Sequence, residues 1–531
     1  MATQTSILIV GAGPTGLMLA NQLARRGASP IVIERNDVPS LRTKALGVQA
    51  RTLEIYRHLG IAERALELGK RATGATMWVS GRRAANVPLG DIGRDLSAFP
   101  FLLILGQDDN ERLLGEALAG HEIPVRWRTE LIGLRQAADH VTATLRRPDG
   151  GEETVIADWV AGCDGAHSAV RHLCGIDFLG APYEHVFYVA DTVARGPMTP
   201  EQLNIFLWRG GFHLFFPMRG TDHWRVAGIL PKSMRDRTDL TFDDVSPSIR
   251  REVGGGLEFP ECRWYATYRI HHRRAARFRE GRCLLLGDAA HIHSPVGAQG
   301  MNTGLQDAYN LAWKLALVTS HRATPSLLDS YALEREPVAD RLLSTTDRAF
   351  SVVVSERWFA RAFRMLLLPR LLAFAMGRSA SRQFAFRTIS QIGIGYPTSP
   401  LSRQEGPVPR GAPKPGDRFP WIRVRFRGEP MADDLFGRLD DTKFNVLVIG
   451  QAATEAAPKG AEDLVRFHPI ELDGANREEL GRVGIHGPAV YVLRPDGHVG
   501  LAGLGFDMQA MERYLASVIG IRSTEPVMSG G

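Results

Sequence analysis

Residues 6–34 constrain the fold of this chain more than any other stretch. Ser6-Ile7-Leu8-Ile9-Val10 is a strand-like apolar run, and Gly11-Ala12-Gly13-Pro14-Thr15-Gly16 is a glycine-rich turn. Leu17 to Arg26 continues as a helix closed by Gly27, and Pro30-Ile31-Val32-Ile33-Glu34 returns as a second strand. Strand, tight turn, helix and returning strand make a βαβ unit. In that setting Gly11 permits the turn, Gly13 lets the backbone approach a pyrophosphate, and Gly16 lets helix and strand pack closely. The helix N-terminus then offers free N–H groups and a positive dipole end to phosphates. Glu34, eighteen residues after Gly16, closes the second strand, followed by Arg35. A carboxylate there accepts hydrogen bonds from two ribose hydroxyls and repels a 2′-phosphate, so this site is not expected to hold NADP. The unit specifies a dinucleotide and leaves NAD and FAD open.

The chain has 531 residues, enough for two to four domains of about 100–200 residues each. Residues 72–105 and about 182–275 are rich in short β-like runs such as Asn204-Ile-Phe-Leu-Trp208 and Phe212-His-Leu-Phe-Phe216, which suggest a sheet inserted into the nucleotide domain. Cys283-Leu-Leu-Leu-Gly287 is another buried strand, leading through a polar loop to a helix from about Gly300 to Val318. Residues 346–395 are helical, apolar and basic together; packing is expected, with a membrane-surface helix as the alternative. Ala412-Pro-Lys-Pro-Gly-Asp417 marks a linker, and Phe444–Ile449 and Val490-Tyr-Val-Leu-Arg494-Pro-Asp-Gly497 are strands of a small terminal α/β domain.

The formal charge of +6 comes from scattered residues without interleaved aromatics, so nucleic acid is not expected as a partner. Four cysteines, Cys163, Cys174, Cys262 and Cys283, form no CxxC pair, which suits a reduced cytoplasmic protein. The most apolar late stretch, Met365 to Met376, is interrupted by Pro369 and Arg370 and falls short of the ~20 residues a bilayer needs, so no stable membrane insertion is expected.

Two later segments decide between NAD and FAD. Gly162-Cys-Asp164-Gly165-Ala-His-Ser168-Ala-Val-Arg171, and Gly287-Asp288-Ala-Ala-His291 followed by Pro295-Val-Gly-Ala-Gln-Gly300-Met-Asn302, resemble the internal fingerprints of single-component FAD-dependent aromatic hydroxylases. The likeness is to para-hydroxybenzoate hydroxylase, and closer to the phenol, pentachlorophenol and hydroxyphenylpropionate hydroxylases. It covers residues 5–345 strongly and the rest more loosely.

The resemblance implies an α/β fold in which a Rossmann-like FAD-binding domain (1–181 and 276–345) receives an inserted antiparallel β-sheet substrate domain (182–275), to which 72–106 contributes strands. A helical segment (346–400) and a thioredoxin-like C-terminal domain (401–531) follow; that domain contains no cysteine, so a structural or dimer-forming role is expected. Asp288 would hold the ribityl chain, and Gly300, Met301 and Asn302 would open a helix at the flavin's pyrimidine edge, with Pro295 and Gly297 on the loop at the flavin's reacting face. Arg51 and Gln107 would contact FAD. Asp164 would touch both FAD and the nicotinamide cofactor, and Arg171 would pair either with a phosphate or with Asp164. Trp208, His213 and Phe215 are candidates for the substrate wall. His291 and His293 lack a third ligand at metal spacing, so no metal is expected.

By the same resemblance the chain is a monooxygenase. NADPH or NADH reduces FAD, O2 forms a flavin hydroperoxide, and one oxygen passes to a phenolic or polycyclic aromatic ring. The same scaffold also supports epoxidation or Baeyer–Villiger oxidation, and a non-catalytic, membrane-associated FAD-binding protein is the rival from another class.

Overall fold

The computed structural model describes residues 2–39, 45–237, 239–293, 299–354, 357–429, 431–452, 457–458 and 460–522. Strands Cys283–Leu285, Glu152–Gly162, Thr3–Val10, Ile31–Ile33 and Val125–Arg126 lie side by side in that order, all parallel. Ile7, Leu8 and Ile9 in the middle strand are fully buried, which is why that segment is apolar at successive positions instead of alternating. Helix Pro14–Ala24 crosses over this sheet and packs on helix Gly300–Thr319. Every residue of the latter from Asn302 to Val318 is buried, including Asp307, Asn310 and Lys314.

A second sheet of eight strands runs, edge to edge, through His291–Ile292, Glu258–Ala275, Phe178–Arg195, His223–Ile229, Gly211–Pro217, Gln202–Trp208, Gly74–Val79 and Arg82–Pro88. It is antiparallel except where Gln202–Trp208 meets Gly74–Val79 in parallel. The two strands of that pair come from distant parts of the chain and are joined by no hairpin, as a parallel pair requires. Helix Phe242–Val253 covers one face, burying Phe242, Val245 and Ile249 beside Phe206 and Phe215.

The helical segment packs on one side only. Met365 and Ala373 meet the opposite face of the second sheet, and Arg364 is buried with a hydrogen bond to the Arg209 carbonyl at 3.0 Å. Trp358, Phe374 and Phe384 on its outer side are 80%, 63% and 74% exposed. Among the described residues no helix is long and apolar enough to cross a membrane. The C-terminal sheet has the order Arg403–Glu405, Val499–Gly503, Ala489–Leu493, Phe444–Ile449 and Val465–Ile470, a mixed sheet flanked by helices Gly474–Arg482 and Met508–Arg513. This is the thioredoxin-like unit.

Candidate cofactor and substrate site

The glycine turn, Glu34, Asp164 and Asp288 meet at the carboxyl edge of the parallel sheet, where ligands of open α/β sheets bind. Local backbone pairing brings them there. The Gly11 N–H donates to the Ile33 carbonyl at 2.8 Å, the Cys163 N–H to Val10 at 2.8 Å, and the Leu286 N–H to Gly162 at 3.0 Å. Each strand therefore hands its polar loop to the same rim.

The three glycines of the turn are held by different surroundings. At Gly11, φ is +103°, and an added Cβ would stand 2.4 Å from the Cys163 carbonyl oxygen; at Gly16 it would stand 1.9 Å from the Gly11 oxygen. Gly13 is unlike both: a Cβ there meets no protein atom within 4 Å. The protein itself does not require glycine at that position, so the requirement comes from whatever occupies the open side. Gly13 is also the N-cap residue of helix Pro14–Ala24, which has no side-chain cap. Its first N–H groups are thus left for an anion. Glu34 closes on the turn, with Oε2 accepting from the Ala12 N–H at 2.9 Å and Oε1 from the Asn36 N–H at 3.0 Å. Arg35 is exposed.

Asp164 lies against Gly11, with its Cα 2.9 Å from where a Gly11 Cβ would be. Its Oδ2 accepts from the Val170 N–H at 3.0 Å, while Oδ1 is buried and meets no hydrogen-bond partner among the described residues. Burial pushes this carboxyl above the usual range, against the Ser168 and Val170 hydrogen bonds. A buried acceptor with a free lone pair is expensive unless a ligand supplies a donor. Open space at Gly13, an uncapped helix and the unpaired Oδ1 all fit the diphosphate and sugar portion of FAD.

Asp288 is exposed between buried neighbours in the short 3-10 turn Gly287–Ala289. Sequence reasoning passed over the way this turn is seated. A Cβ on Gly287 would lie 2.6 Å from Thr15 Oγ1, and one on Gly304 would lie 2.5 Å from the same atom. Thr15 therefore fits between two glycines. Asp307, also missed, accepts from the Gly287 N–H at 3.0 Å and pairs with His291 Nε2 at 2.8 Å. An aspartate among Leu305, Ala308 and Ala312 on the buried side of a helix was the available signal. His291 is thus partnered by a buried carboxylate.

Several expected contacts are placed elsewhere. The Arg51 side chain is buried, donating to Glu54 Oε2 at 3.1 Å and to the Asp496 carbonyl at 2.5 Å, so it braces the C-terminal domain. Gln107 begins helix Gln107–Ala119; its N–H donates to the Ala45 carbonyl at 3.1 Å and its Nε2 to Glu111 at 2.8 Å. Asn302 accepts from the Gln49 N–H at 2.9 Å and Thr52 Oγ1 at 2.7 Å, and donates to the Gly47 carbonyl at 2.8 Å. The Asn302 side chain, and Gln107 Oε1 accepting from the Ala45 N–H at 3.4 Å, hold the segment around Gly47. Met301 Sδ accepts from Asn110 at 3.3 Å, and a Cβ on Gly300 would stand 3.2 Å from His293 Nε2. Arg171 donates to the carbonyls of Ala289 at 2.9 Å and Ala166 at 2.8 Å over the Phe178 ring, tying the Asp164 loop to the Asp288 loop. Pro295 and Gly297 lie outside the described residues.

The residues expected to wall the substrate, Trp208, His213 and Phe215, lie on the face of the second sheet that helix Phe242–Val253 covers. Phe215 is fully buried beneath helix Phe242–Val253, packed on Phe206 and Phe259 with ring centroids 5.3 and 6.4 Å away. His213, two residues earlier, shares that face; its Nδ1 is 2.6 Å from the Tyr188 hydroxyl, and burial pushes its imidazole down to about 3. Trp208 stacks on His213 at 5.7 Å. All three belong to the helix-covered face, because side chains alternate along a strand. The other face carries Met77, Phe187, Leu207, Phe212 and Ile229, with Leu214 and Tyr268 half-buried beside them.

The FAD binding domain family matches residues 4–346 of the chain. The 6-methylpretetramide 4-monooxygenase of Streptomyces rimosus is 34% identical over 521 residues, 94% of this chain and 90% of that one. The pentachlorophenol 4-monooxygenase of Sphingobium chlorophenolicum is 35% identical over 359 residues, 66% of each. Among solved structures, aklavinone-11 hydroxylase in complex with FAD and aklavinone superimposes with a TM-score of 0.80 at 25% identity, covering 98% of this chain and 100% of that one.

Proposed function

The chain belongs to the FAD-dependent aromatic hydroxylases, and from that premise we propose that it inserts one oxygen atom of O2 into a fused-ring phenolic substrate, using NADH or NADPH as reductant. The observation that carries this reading is a junction. The loop that bears Asp288 runs directly into Ile292 and His291, which pair with Arg273 and Arg274 at the edge of the second sheet. Cofactor rim and sheet are therefore stitched together at one point. A fused-ring substrate is favoured because two of the proteins that resemble this chain from end to end, including its terminal domain, are named for 6-methylpretetramide and aklavinone. The pentachlorophenol enzyme matches only two thirds of it.

Bound FAD supplies acceptance of two electrons from the nicotinamide and activation of O2. The chain's own residues bind, orient and exclude water. N–H groups of the Gly11–Gly16 turn hold the diphosphate, and Glu34 holds ribose hydroxyls. Asp164 Oδ1 and the exposed Asp288 carboxylate accept from further hydroxyls. The start of helix Gly300–Thr319, with Met301 and Asn302, presents N–H groups and a positive dipole end toward developing negative charge. Phe212, Leu214 and Tyr268 form the apolar wall that keeps water from the reacting ring.

The test is a panel of single-ring and fused-ring phenols, scored for stimulated NAD(P)H oxidation and for a product heavier by one oxygen. Turnover of a fused-ring phenol with single-ring phenols inert supports the proposal. Turnover of simple phenols alone contradicts the substrate class.

A further inference from the structure

Among the contacts of the C-terminal domain with the nucleotide domain is a buried tight turn, Arg494-Pro495-Asp496-Gly497-His498. Arg494, Asp496 and His498 are 0%, 2% and 4% exposed, a burial that turns of this composition do not ordinarily show. We propose that this turn is a positioning element for the flavin site, setting the Gly287–His291 loop through a buried chain of charges; the proposal rests on the FAD reading above.

The chain can be followed atom by atom. Arg494 Nη1 and Nη2 donate to Glu334 Oε1 at 2.5 Å and Oε2 at 2.9 Å, and its Nε donates to Asp496 at 3.1 Å. Glu334, on helix Asp329–Val354, also receives Lys314 Nζ at 2.7 Å and Asn310 at 2.7 Å from helix Gly300–Thr319. The turn thereby fixes the spacing of these two helices. The next residue, Arg335, points into the flavin side: its Nε donates to Asp307 Oδ1 at 2.6 Å and its Nη1 to the Tyr396 hydroxyl at 2.9 Å. The Tyr396 ring lies on His498 at 4.4 Å and on the Arg494 guanidinium at 5.3 Å, so the turn also buttresses Arg335 directly. Asp307 is where the chain ends, and its other oxygen holds the Gly287 N–H and His291.

A buried network of this kind is a poor source of net stability, since well-packed apolar residues of similar volume do as well or better. What it does supply is fixed geometry, because each charge is pinned by directional bonds that tolerate little displacement. Here the pinned object is the backbone that carries Asp288. The terminal domain, which has no cysteine for redox chemistry, therefore serves the cofactor through Arg494 and Asp496.

The experiment measures FAD release from the full-length holoenzyme on dilution, by recovery of flavin fluorescence, for wild type, Tyr396→Phe, Asp496→Asn, Asp307→Asn and the Asp496→Asn/Asp307→Asn double variant. Thermal melting of each FAD-free protein is recorded alongside. Tyr396→Phe removes one hydroxyl and leaves every charge in place, so it remains informative even where a charge variant fails to fold. Tyr396→Phe and Asp496→Asn are expected to weaken FAD by about tenfold, and the double variant is expected to be no weaker than Asp307→Asn alone. Lower melting temperatures with FAD affinity within about twofold of wild type would reduce the turn to a structural staple and overturn the proposal. So would losses that multiply in the double variant. A wild-type protein that fails to retain FAD would instead refute the cofactor reading itself.

Discussion

Within the glycine turn, Gly11 and Gly13 make opposite predictions. Gly11→Ala forces a Cβ against the Cys163 carbonyl at a positive φ, and should cost about 2–5 kcal/mol of stability even without cofactor. Gly13→Ala meets no protein atom, so the FAD-free protein should melt within about 1 kcal/mol of wild type while FAD binds at least about tenfold more weakly. Calorimetry of the FAD-free proteins paired with flavin titration separates the two. Equal loss of stability in both would show that Gly13 is kept for packing. His213 gives a second residue-level test. Burial holds its imidazole neutral and its Nδ1 meets the Tyr188 hydroxyl, so His213→Ala should cost about 1–3 kcal/mol by stranding that hydroxyl. The pH profile of kcat/KM should keep its shape between about pH 5 and 8; a limb lost in the variant would make His213 a reacting group after all.

The second sheet separates what sequence can and cannot disclose at the level of elements. The βαβ unit was legible because its demands are local: the turn, the helix start and Glu34 all fall within residues 6–34. Sheet parity was not legible. Phe212-His-Leu-Phe-Phe216 is apolar on both faces, so alternation shows that a strand exists without saying which side lies under helix Phe242–Val253, a helix met some thirty residues later. Arg51 and Asn302 have protein partners that the sequence does not disclose. Their types and positions suit cofactor contact, but their partners, Asp496 and Gly47, are distant in sequence and appear only on folding. The corrected faces predict a crossover in phenotype. Phe215→Ala should destabilise the protein by about 3–5 kcal/mol with KM little changed. Leu214→Ala, half-buried on the opposite face, should raise KM about tenfold at modest cost to stability. Urea denaturation and steady-state kinetics on the same two proteins check this, and the reverse pattern would restore the original wall.

Over the whole molecule, the domains are joined by charge as much as by apolar surface. Burial alone would push the Glu334 carboxyl up, but Arg494 and Lys314 outweigh it and hold the group down to about 2, against an ordinary value of 4.5. Because the folded value is depressed, its contribution is fully present above pH 4.5 and is lost as pH falls from there toward about 2. Melting temperature should decline through that window, and Glu334→Gln should be less stable at neutral pH with a flatter acid limb. An unchanged acid limb would remove Glu334 from the acid response. In the proposed function the whole chain uses FAD to place an oxygen atom from O2 on a fused-ring phenol. Single turnovers under 18O2 with the preferred substrate test it most directly. One 18O in the product, one NAD(P)H consumed per product and no label from 18O-water are the results predicted; peroxide released with unmodified substrate, or oxygen arriving from water, would contradict it.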